Sequence, residues 1–518
     1  ENPITEEKRI LGKLLFWEEQ LSSDNTMACG TCHKIREGGV DERFARHPGR
    51  DHEYFTYDDK IGSRGVRLST SEGDYVVTIE HGVRHQVGRR TSLSMVMAAY
   101  HKELMWDGRA PKNFVDPETG LSIIPDDGAL ESQSIGPILS SVEMAYPGRT
   151  WDDVAQKLAG ARPMALATEL PPDMVGALVG GTSYPALFEA AFGDTEITAA
   201  RIAFAIATYE RTLVPDQTPW DLFKSGQTDA LTEKQQNGEL LFRTVARCKL
   251  CHEPPRFTDD RFHNLGLRPI LDDVGRYTIS GEGSDLGRFK TPSLRNVNLR
   301  GRLFHTGRMP EFFNGPPPLG KSLVAEAMTI YILGGGPHQA NLSPFMEPLP
   351  GLTDEDVHDI VDFVEHGLTD PRVEEGAFPF DSPTLFSQNR ELGIVYVSAG
   401  IPGRAGRMPH LVVDVPPVIG GGLFRLGVID ARPQSVGWVS VQPTSASSSP
   451  FESTAGWELD GPIFNSSGLS VDGSATWQVE FPDDPELIGR QLDMCWCIFD
   501  DHVPERIAQT RTVRVTVH

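Results

Sequence analysis

A mainly α-helical chain closed by a β-sandwich is the fold class that the sequence predicts, and three observations predict it. The segments TEEKRILGKLLFW (5–17) and LTEKQQNGELLFRTVA (231–246) place apolar residues at helical spacing, and each runs into a C-x-x-C-H motif. A further helical pattern covers residues 197–213. From about residue 380 the texture changes to the short alternating runs HLVVDV, LFRLGVID, VGWVSV, TWQVEF and TVRVTV, separated by Gly, Pro, Ser and Asp, which is the pattern of two packed sheets.

The helix over 5–17 opens the first unit and reaches its motif through the turn-prone LSSDNT. The helix over 197–213 closes that unit, and the join falls near Leu213-Val214-Pro215-Asp216. The next helix repeats the first design, with Thr232 and Gln235 spaced as a capping box. The expected domains are 1–215, 216–375 and 380–518, with SASSSP (Ser445–Pro450) a loop inside the last. A chain of 518 residues with 39% hydrophobic side chains is ample for several packed cores.

The formal charge of −24, from 72 acidic against 48 basic residues, argues against nucleic acid or anionic lipid as a partner, because either is repelled. No stretch approaches the roughly 18 uninterrupted apolar residues of a membrane helix, so no membrane span is expected.

CGTCH (Cys29–His33) and CKLCH (Cys248–His252) use four of the six cysteines. In such a motif the two thiols add across the vinyl groups of a haem and the adjacent imidazole binds its iron. C-x-x-C also serves as half of a zinc site or as a thiol redox pair. Zinc knuckles usually stand within about 15–20 residues of each other, whereas these motifs are more than 200 residues apart and a histidine follows both. The motifs read as two covalently bound haem c groups, one on Cys29, Cys32 and His33 and one on Cys248, Cys251 and His252. The fold class is then two cytochrome c-like haem domains followed by a C-terminal β-sandwich domain. Haem c is attached outside the cytoplasm, so a periplasmic or equivalent compartment is expected. The polar opening Glu1-Asn2-Pro3 reads as a mature start after removal of a signal peptide.

With both motifs placed, the chain resembles the bacterial dihaem cytochrome c peroxidase family, which includes the MauG-type enzymes that oxidise a partner protein. The resemblance spans residues 5 to about 370. It rests on LGKLLFWEEQLSSDNTMACGTCH from Leu11, LMWDGRA from Leu104, LESQSIGPILSSVEM from Leu130, FKTPSLRNV from Phe289, LFHTG from Leu303 and a helix ending in IYILGGG at Gly336. The tail lies outside it. The resemblance implies that hydrogen peroxide binds at the N-terminal haem, while the C-terminal haem receives electrons and relays them.

An iron that binds peroxide needs an open sixth position and a nearby group to move a proton between the peroxide oxygens. Glu143 matches the family's distal glutamate and Gln133 its companion amide. Behind the apolar IGPIL, burial would let Glu143 donate as well as accept a proton; taken alone it reads as a surface glutamate at a helix start. Trp106 matches a tryptophan lying between the two haems, where an indole can pass an electron hole; taken alone it reads as a core aromatic. Asp107 and Arg109 read as a turn-stabilising ion pair.

The distal ligand of the second haem divides the family: methionine in one branch, tyrosine in the MauG-type branch. Aligned on the closing helix, the position falls at Tyr331, with Met328 one helical turn earlier and Met309 as alternatives. A phenolate favours ferric iron and lowers its potential, and a thioether does the reverse. The loop IEHGVRHQVGRR contains His81 and His85, neither squarely on the position of the family's displaceable histidine. His305 matches a histidine near the second haem that is not itself a ligand. Relatives hold calcium between the domains; here Thr91 stands near the asparagine position, and Arg300 and Arg302 stand where Thr and Pro would. Two arginines repel a calcium ion, so an arginine is expected to replace its charge.

Cys495 and Cys497 in LDMCWCIFD alternate on a strand and read as buried thiols of a sandwich core, too far apart at i, i+2 for a comfortable disulfide. The tail itself reads as a surface for a partner or for a homodimer. The expected activity is peroxide-dependent oxidation of an electron-donor redox protein or an oxidisable protein substrate. The alternative is a non-enzymatic dihaem electron-transfer cytochrome.

Overall fold

The computed structural model describes residues 2–518 except 52, 55, 57–58, 79–80, 308–321, 389–393, 404–405, 407, 416, 418–422, 432–434, 436, 444–473, 482–483 and 501–505. The first part of the chain folds as α1 (Glu6–Trp17), α2 (Cys29–Cys32), α3 (Ala129–Ile135), α4 (Trp151–Gly160), α5 (Pro172–Ala177), α6 (Tyr184–Phe192) and α7 (Ala199–Glu210). The second part carries α8 (Pro219–Lys224), α9 (Glu233–Arg243), α10 (Tyr277–Ser280), α11 (Leu323–Ile332), α12 (Asp354–Asp362) and α13 (Pro371–Glu375).

The caps follow from residue chemistry. The Thr5 hydroxyl accepts from the Lys8 amide to start α1, and Thr232 and Gln235 form the expected reciprocal capping box of α9. Each of these helices then crosses a later one at backbone contact. A Cβ on Gly12 of α1 would lie 1.9 Å from the Ala205 carbonyl oxygen of α7, and one on Gly238 of α9 would lie 1.9 Å from the Asp359 oxygen of α12. Glycine permits both approaches because it has no side chain to exclude. Around the first crossing a core gathers Leu11, Leu14, Leu15, Phe16 and Trp17 with Ile202, Ile206 and Tyr209, and it also takes in Val373, Phe380 and Leu385 from far along the chain. The second core gathers Phe242, Phe257, Ile360 and Phe363.

Helix does not fill the space between these crossings. Among the described residues from Leu21 to Gly128 the helical content is α2 and short 3-10 turns, and the rest includes β1 (Phe44–His47), β2 (Lys60–Arg67), β3 (His85–Val87), β4 (Phe114–Val115) and β5 (Ser122–Ile124). β1, β2 and β3 form one antiparallel sheet. KIGSRGVR of β2 mixes glycine with β-branched residues, a poor helical composition. A further two-stranded ladder joins β6 (Phe262–His263) to β7 (Phe289–Lys290). "Mainly α" therefore describes the framework of the two units and not the segments that cover them.

The tail is β-rich as its alternation requires. β8 (Ile394–Tyr396), β9 (His410–Val412), β10 (Leu423–Ile429), β11 (Gly437–Pro443), β12 (Ala475–Glu480), β13 (Gln491–Phe499), β14 (Ile507–Gln509) and β15 (Val513–Thr516) make two antiparallel sheets. Their orders are β12-β10-β9 and β11-β13-β15-β8, with β14 also on β13. Phe424, Leu426 and Val428 of one sheet pack on Leu492, Met494, Trp496 and Ile498 of the other, and the Trp496 indole donates across the gap to the Leu426 carbonyl at 3.0 Å. That places Cys495 and Cys497 on the opposite face of β13, not in the shared core. Strand alternation sends them away from it, and Cys495 accepts a hydrogen bond from the Gln509 amide at 2.9 Å. SASSSP lies outside the described residues. Among the described residues no helix is long and apolar enough to cross a membrane.

Candidate haem and peroxide site

The two C-x-x-C-H motifs present their histidines alike. The His33 ring places Nδ1 at 3.2 Å from the Gly39 carbonyl, and His252 places Nδ1 at 3.1 Å from the Phe257 carbonyl. A carbonyl only accepts, so each Nδ1 carries the proton and each Nε2 keeps its lone pair for a metal. Burial pushes the Cys29, Cys248 and Cys251 thiols up to about 12 and Cys32 higher still. A nucleophilic redox pair needs the opposite shift. Nor do the four thiols form one zinc site, because Cys29 and Cys32 pack on the first core and Cys248 on the second. Cys251, Asp259 and His263 bring ligand atoms within 4.8 Å of one another, but His263 Nε2 is already engaged by Asp259 at 2.8 Å.

A cleft of about 180 Å³ opens beside the second motif, lined largely by apolar side chains. His252, Cys248 and Cys251 line it together with Tyr331, Met328 and Met346. Burial, with the neighbouring Cys251 and Cys248, holds the Tyr331 phenol well above its ordinary range. Tyr331 and Met328 thus share one cavity with His252, as their helical spacing requires; Met346 was not singled out by the sequence because it follows the helix in an irregular segment. Met309 lies outside the described residues.

Beside the first motif the surroundings are polar. Glu143 is half-buried, less enclosed than IGPIL suggests, and its charge reaches both Cys29 and Cys32, adding to the larger effect of burial on those thiols. Its backbone is braced by the Ser140 carbonyl, to which its amide donates at 3.0 Å, and by the Val66 amide of β2, which donates to the Glu143 carbonyl at 3.1 Å. Gln133 is half-buried on α3. Arg43, paired with Asp41 at 3.0 Å, donates to Cys32 Sγ at 3.3 Å.

His85 Nδ1 donates to the Gly65 carbonyl at 2.9 Å, and its Nε2 faces the Arg64 guanidinium and, at 3.5 Å, Asp414 of the tail. Burial, the largest influence, drives the His85 ring below its ordinary range even with that carboxylate beside it. Burial would raise Asp414, but Arg67 and His85 outweigh it and leave the carboxyl well below its ordinary range. His81 is buried and packs at a tilt against His47, ring centroids 4.6 Å apart. Sequence reasoning missed Arg64, Arg67 and Asp414: a tail residue more than 300 positions from β2 leaves no local signal of that contact.

Trp106 lies in the seam between the units. Its Nε1 donates to the Thr91 carbonyl at 2.9 Å, its carbonyl accepts from the Lys290 amide at 2.8 Å, and its ring meets His305 edge-on at 6.1 Å. His305 stacks flat on Phe289 at 3.5 Å. Asp107 pairs with Arg109 at 3.1 Å, as its turn suggests, and more tightly with Arg90 at 2.7 Å, which continues to Asp273 at 2.7 Å. Thr91 donates to the Phe304 carbonyl through Oγ1 at 3.1 Å. Arg300 is buried, donates to the Arg295 carbonyl at 2.9 Å and is pushed down to about 10 by that burial.

Residues 6–229 match the family model described as di-haem cytochrome c peroxidase. Over 310 residues the chain is 30% identical to the methylamine utilization protein MauG of Methylophilus methylotrophus, covering 59% of this chain and 70% of that one. It is 27% identical over 393 residues to the cytochrome c551 peroxidase of Pseudomonas aeruginosa, covering 74% and 85%. A crystal structure of a MauG-like protein associated with microbial copper homeostasis superposes with a TM-score of 0.50 at 23% identity, over 75% of this chain and 94% of that one; at that identity the likeness is one of fold.

Proposed function

The chain belongs to the dihaem cytochrome c peroxidase family that includes MauG, and on that premise we propose that it reduces hydrogen peroxide at the N-terminal haem and oxidises an electron-donor redox protein or a protein substrate through the second. The observation that carries this reading is the asymmetry of two otherwise matched histidine sites: β2, which contacts Cys32 Sγ through the Arg64 carbonyl, braces Glu143 at the first, and Tyr331 lines the cleft of the second. The chain is an oxidoreductase by family. On this reading it comprises haem units 1–215 and 216–375 and a β-domain 380–518, and works in the periplasm or an equivalent compartment where haem c is attached.

Cys29, Cys32 and His33 would hold one haem c and Cys248, Cys251 and His252 the other, with Tyr331 as the distal ligand of the second. When bound, the first haem supplies an iron able to exchange electrons with peroxide. Glu143 would take a proton from one peroxide oxygen and return it to the other, which lets one oxygen leave as water when the O–O bond breaks. Gln133 donates its amide hydrogen bond to orient the peroxide. Trp106, held by Thr91 between the units, would pass the two electrons that, with two protons from solvent, reduce the remaining oxygen to a second water. Calcium has no part in this reading, because the buried Arg300 guanidinium brings a positive charge to the seam.

The test is a stopped-flow absorbance trace of the diferric protein mixed with a slight excess of hydrogen peroxide. Rapid loss of Soret absorbance without prior reduction is expected with a tyrosine-ligated second haem. Reaction only after one electron is added overturns the Tyr331 assignment. No reaction in either state overturns the peroxidase reading and leaves an electron-transfer cytochrome.

A further inference from the structure

The tail does more than follow the haem units. Its β12-β10-β9 sheet lies against the segment 67–75 of the first unit. The Tyr75 amide donates to Thr476 Oγ1 at 2.9 Å, Gln478 donates to Asp74 at 2.9 Å, and the Arg425 guanidinium lies 4.9 Å over the Tyr75 ring and 3.4 Å from the buried Asp24 carboxylate. Asp414, just after β9, has a side chain only 5% exposed. Its two oxygens take the Arg67 guanidinium at 2.6 Å and the Tyr75 hydroxyl at 2.9 Å.

What Asp414 grips is the strand that braces Glu143. Arg67 ends β2, Val66 beside it donates to the Glu143 carbonyl, and a Cβ on Gly65 would lie 1.8 Å from the Val142 oxygen and 2.9 Å from Glu143 Cα. The Gly65 carbonyl is also the acceptor of His85 Nδ1. The short segment Gly65-Val66-Arg67 is therefore pressed between Glu143 on one side and the tail on the other. The Nε2 of His85, the atom a ring would offer to iron, is turned toward Arg64 and Asp414. A buried carboxylate paired with Arg67 and facing His85 helps to fix both, because removing it leaves a buried guanidinium without its ion pair.

We propose that the C-terminal β-domain completes the peroxide site, with Asp414 as a positioning residue that holds β2 against Glu143 and keeps His85 off the iron of the first haem. The proposal rests on the assignment of peroxide chemistry to that haem.

The experiment compares the holo, diferric wild type with Asp414→Asn, which keeps shape and loses charge, by electron paramagnetic resonance and by stopped flow with hydrogen peroxide. The expected result is a shift of the first haem from high-spin toward low-spin ferric iron as His85 is released. The peroxide reaction should slow by roughly tenfold to a hundredfold, the scale of a misplaced acid–base group. Gln478→Ala, which cuts the same interface away from His85, keeps the wild-type spectrum and rate. If Asp414→Asn does not fold, Arg67→Gln removes the same ion pair from the other side and should give the same spectral change. An unchanged spectrum and rate in the folded charge variant, or the same change in Gln478→Ala, overturns the proposal. A wild type inert to peroxide overturns the functional reading alone, and the spin-state comparison still decides about Asp414.

Discussion

In the first unit α1 crosses α7 over Gly12, in the second α9 crosses α12 over Gly238, and each crossing is followed by a C-x-x-C-H motif whose histidine donates Nδ1–H to a nearby carbonyl. Up to the face where iron would sit, the two units are one design used twice. Beyond it they part. The first is covered by β2, β3 and the Glu143 turn, rich in arginine, histidine and carboxylate; the second opens on a cleft with Tyr331, Met328 and Met346. One scaffold thus carries two different surroundings because the histidine side is local to the motif and the opposite side comes from whatever segment the fold lays over it.

The comparison is broken most sharply at its two distal residues. Glu143→Gln should lower the rate of the peroxide reaction by about 10²–10⁴, the range of a lost acid–base group, with haem content unchanged by pyridine haemochrome assay. Tyr331→Phe should leave that first step alone and raise the potential of the second haem in a spectroelectrochemical titration. Equal effects of the two variants would remove the division of labour.

The shared frame is tested by the glycines. At an exposed helix site Gly→Ala gains up to about 1 kcal/mol, whereas Gly12→Ala and Gly238→Ala should each cost about 1–3 kcal/mol by forcing the crossings apart, read by denaturant unfolding. A cost at one site only would mean that the two crossings are not equivalent. In the seam, Trp106→Phe leaves the Thr91 carbonyl without its indole donor and should cost about 1 kcal/mol. It should also slow electron delivery between the haems without slowing the first reaction with peroxide.

Two buried carboxyls respond to acid in opposite directions. Glu19 accepts from the Phe386 and Ser387 amides, and burial raises it to about 8. Its folded form holds a proton that the unfolded form has released above pH 4.5, so this contribution falls as pH rises from 4.5 to 8. In the second unit Asp260 is lowered: burial opposes the shift, and its hydrogen bond to His101 and the charge of Lys290 outweigh it. Its contribution is present above the unfolded value of 3.8 and lost as pH falls below it. Glu19→Gln should therefore flatten the decline of Tm between pH 4.5 and 8, and Asp260→Asn should flatten the loss in acid. The smallest effect is expected from Arg109→Ala, within about 0.5 kcal/mol, because the Arg109 side chain is exposed and the buried Asp107 keeps Arg90.

The repeated helix-and-motif design was legible because each part is short-range: a threonine three residues before a glutamine, thiols three apart, a histidine next to the second thiol. Glu143, Gln133, Trp106 and Tyr331 became candidates through resemblance to a family and not through spacing, since a lone glutamate or aromatic looks the same in a core as at a site. Alternation disclosed the tail's strands and put both cysteines on one face of β13, but it did not say which face meets the other sheet, and the thiols proved to lie outside the core.

By itself the sequence determined two helical units with matched C-x-x-C-H motifs, an acidic chain and a β-rich tail, because helix caps, motif spacing and strand alternation act over a few residues. Only the tertiary structure decided that β2 braces Glu143, that His85 turns its Nε2 toward Arg64 and Asp414, and that the tail reaches the first unit to close that cluster. Those contacts join residues up to 347 positions apart, and a long-range pairing of buried charges leaves no periodicity in the chain that makes it.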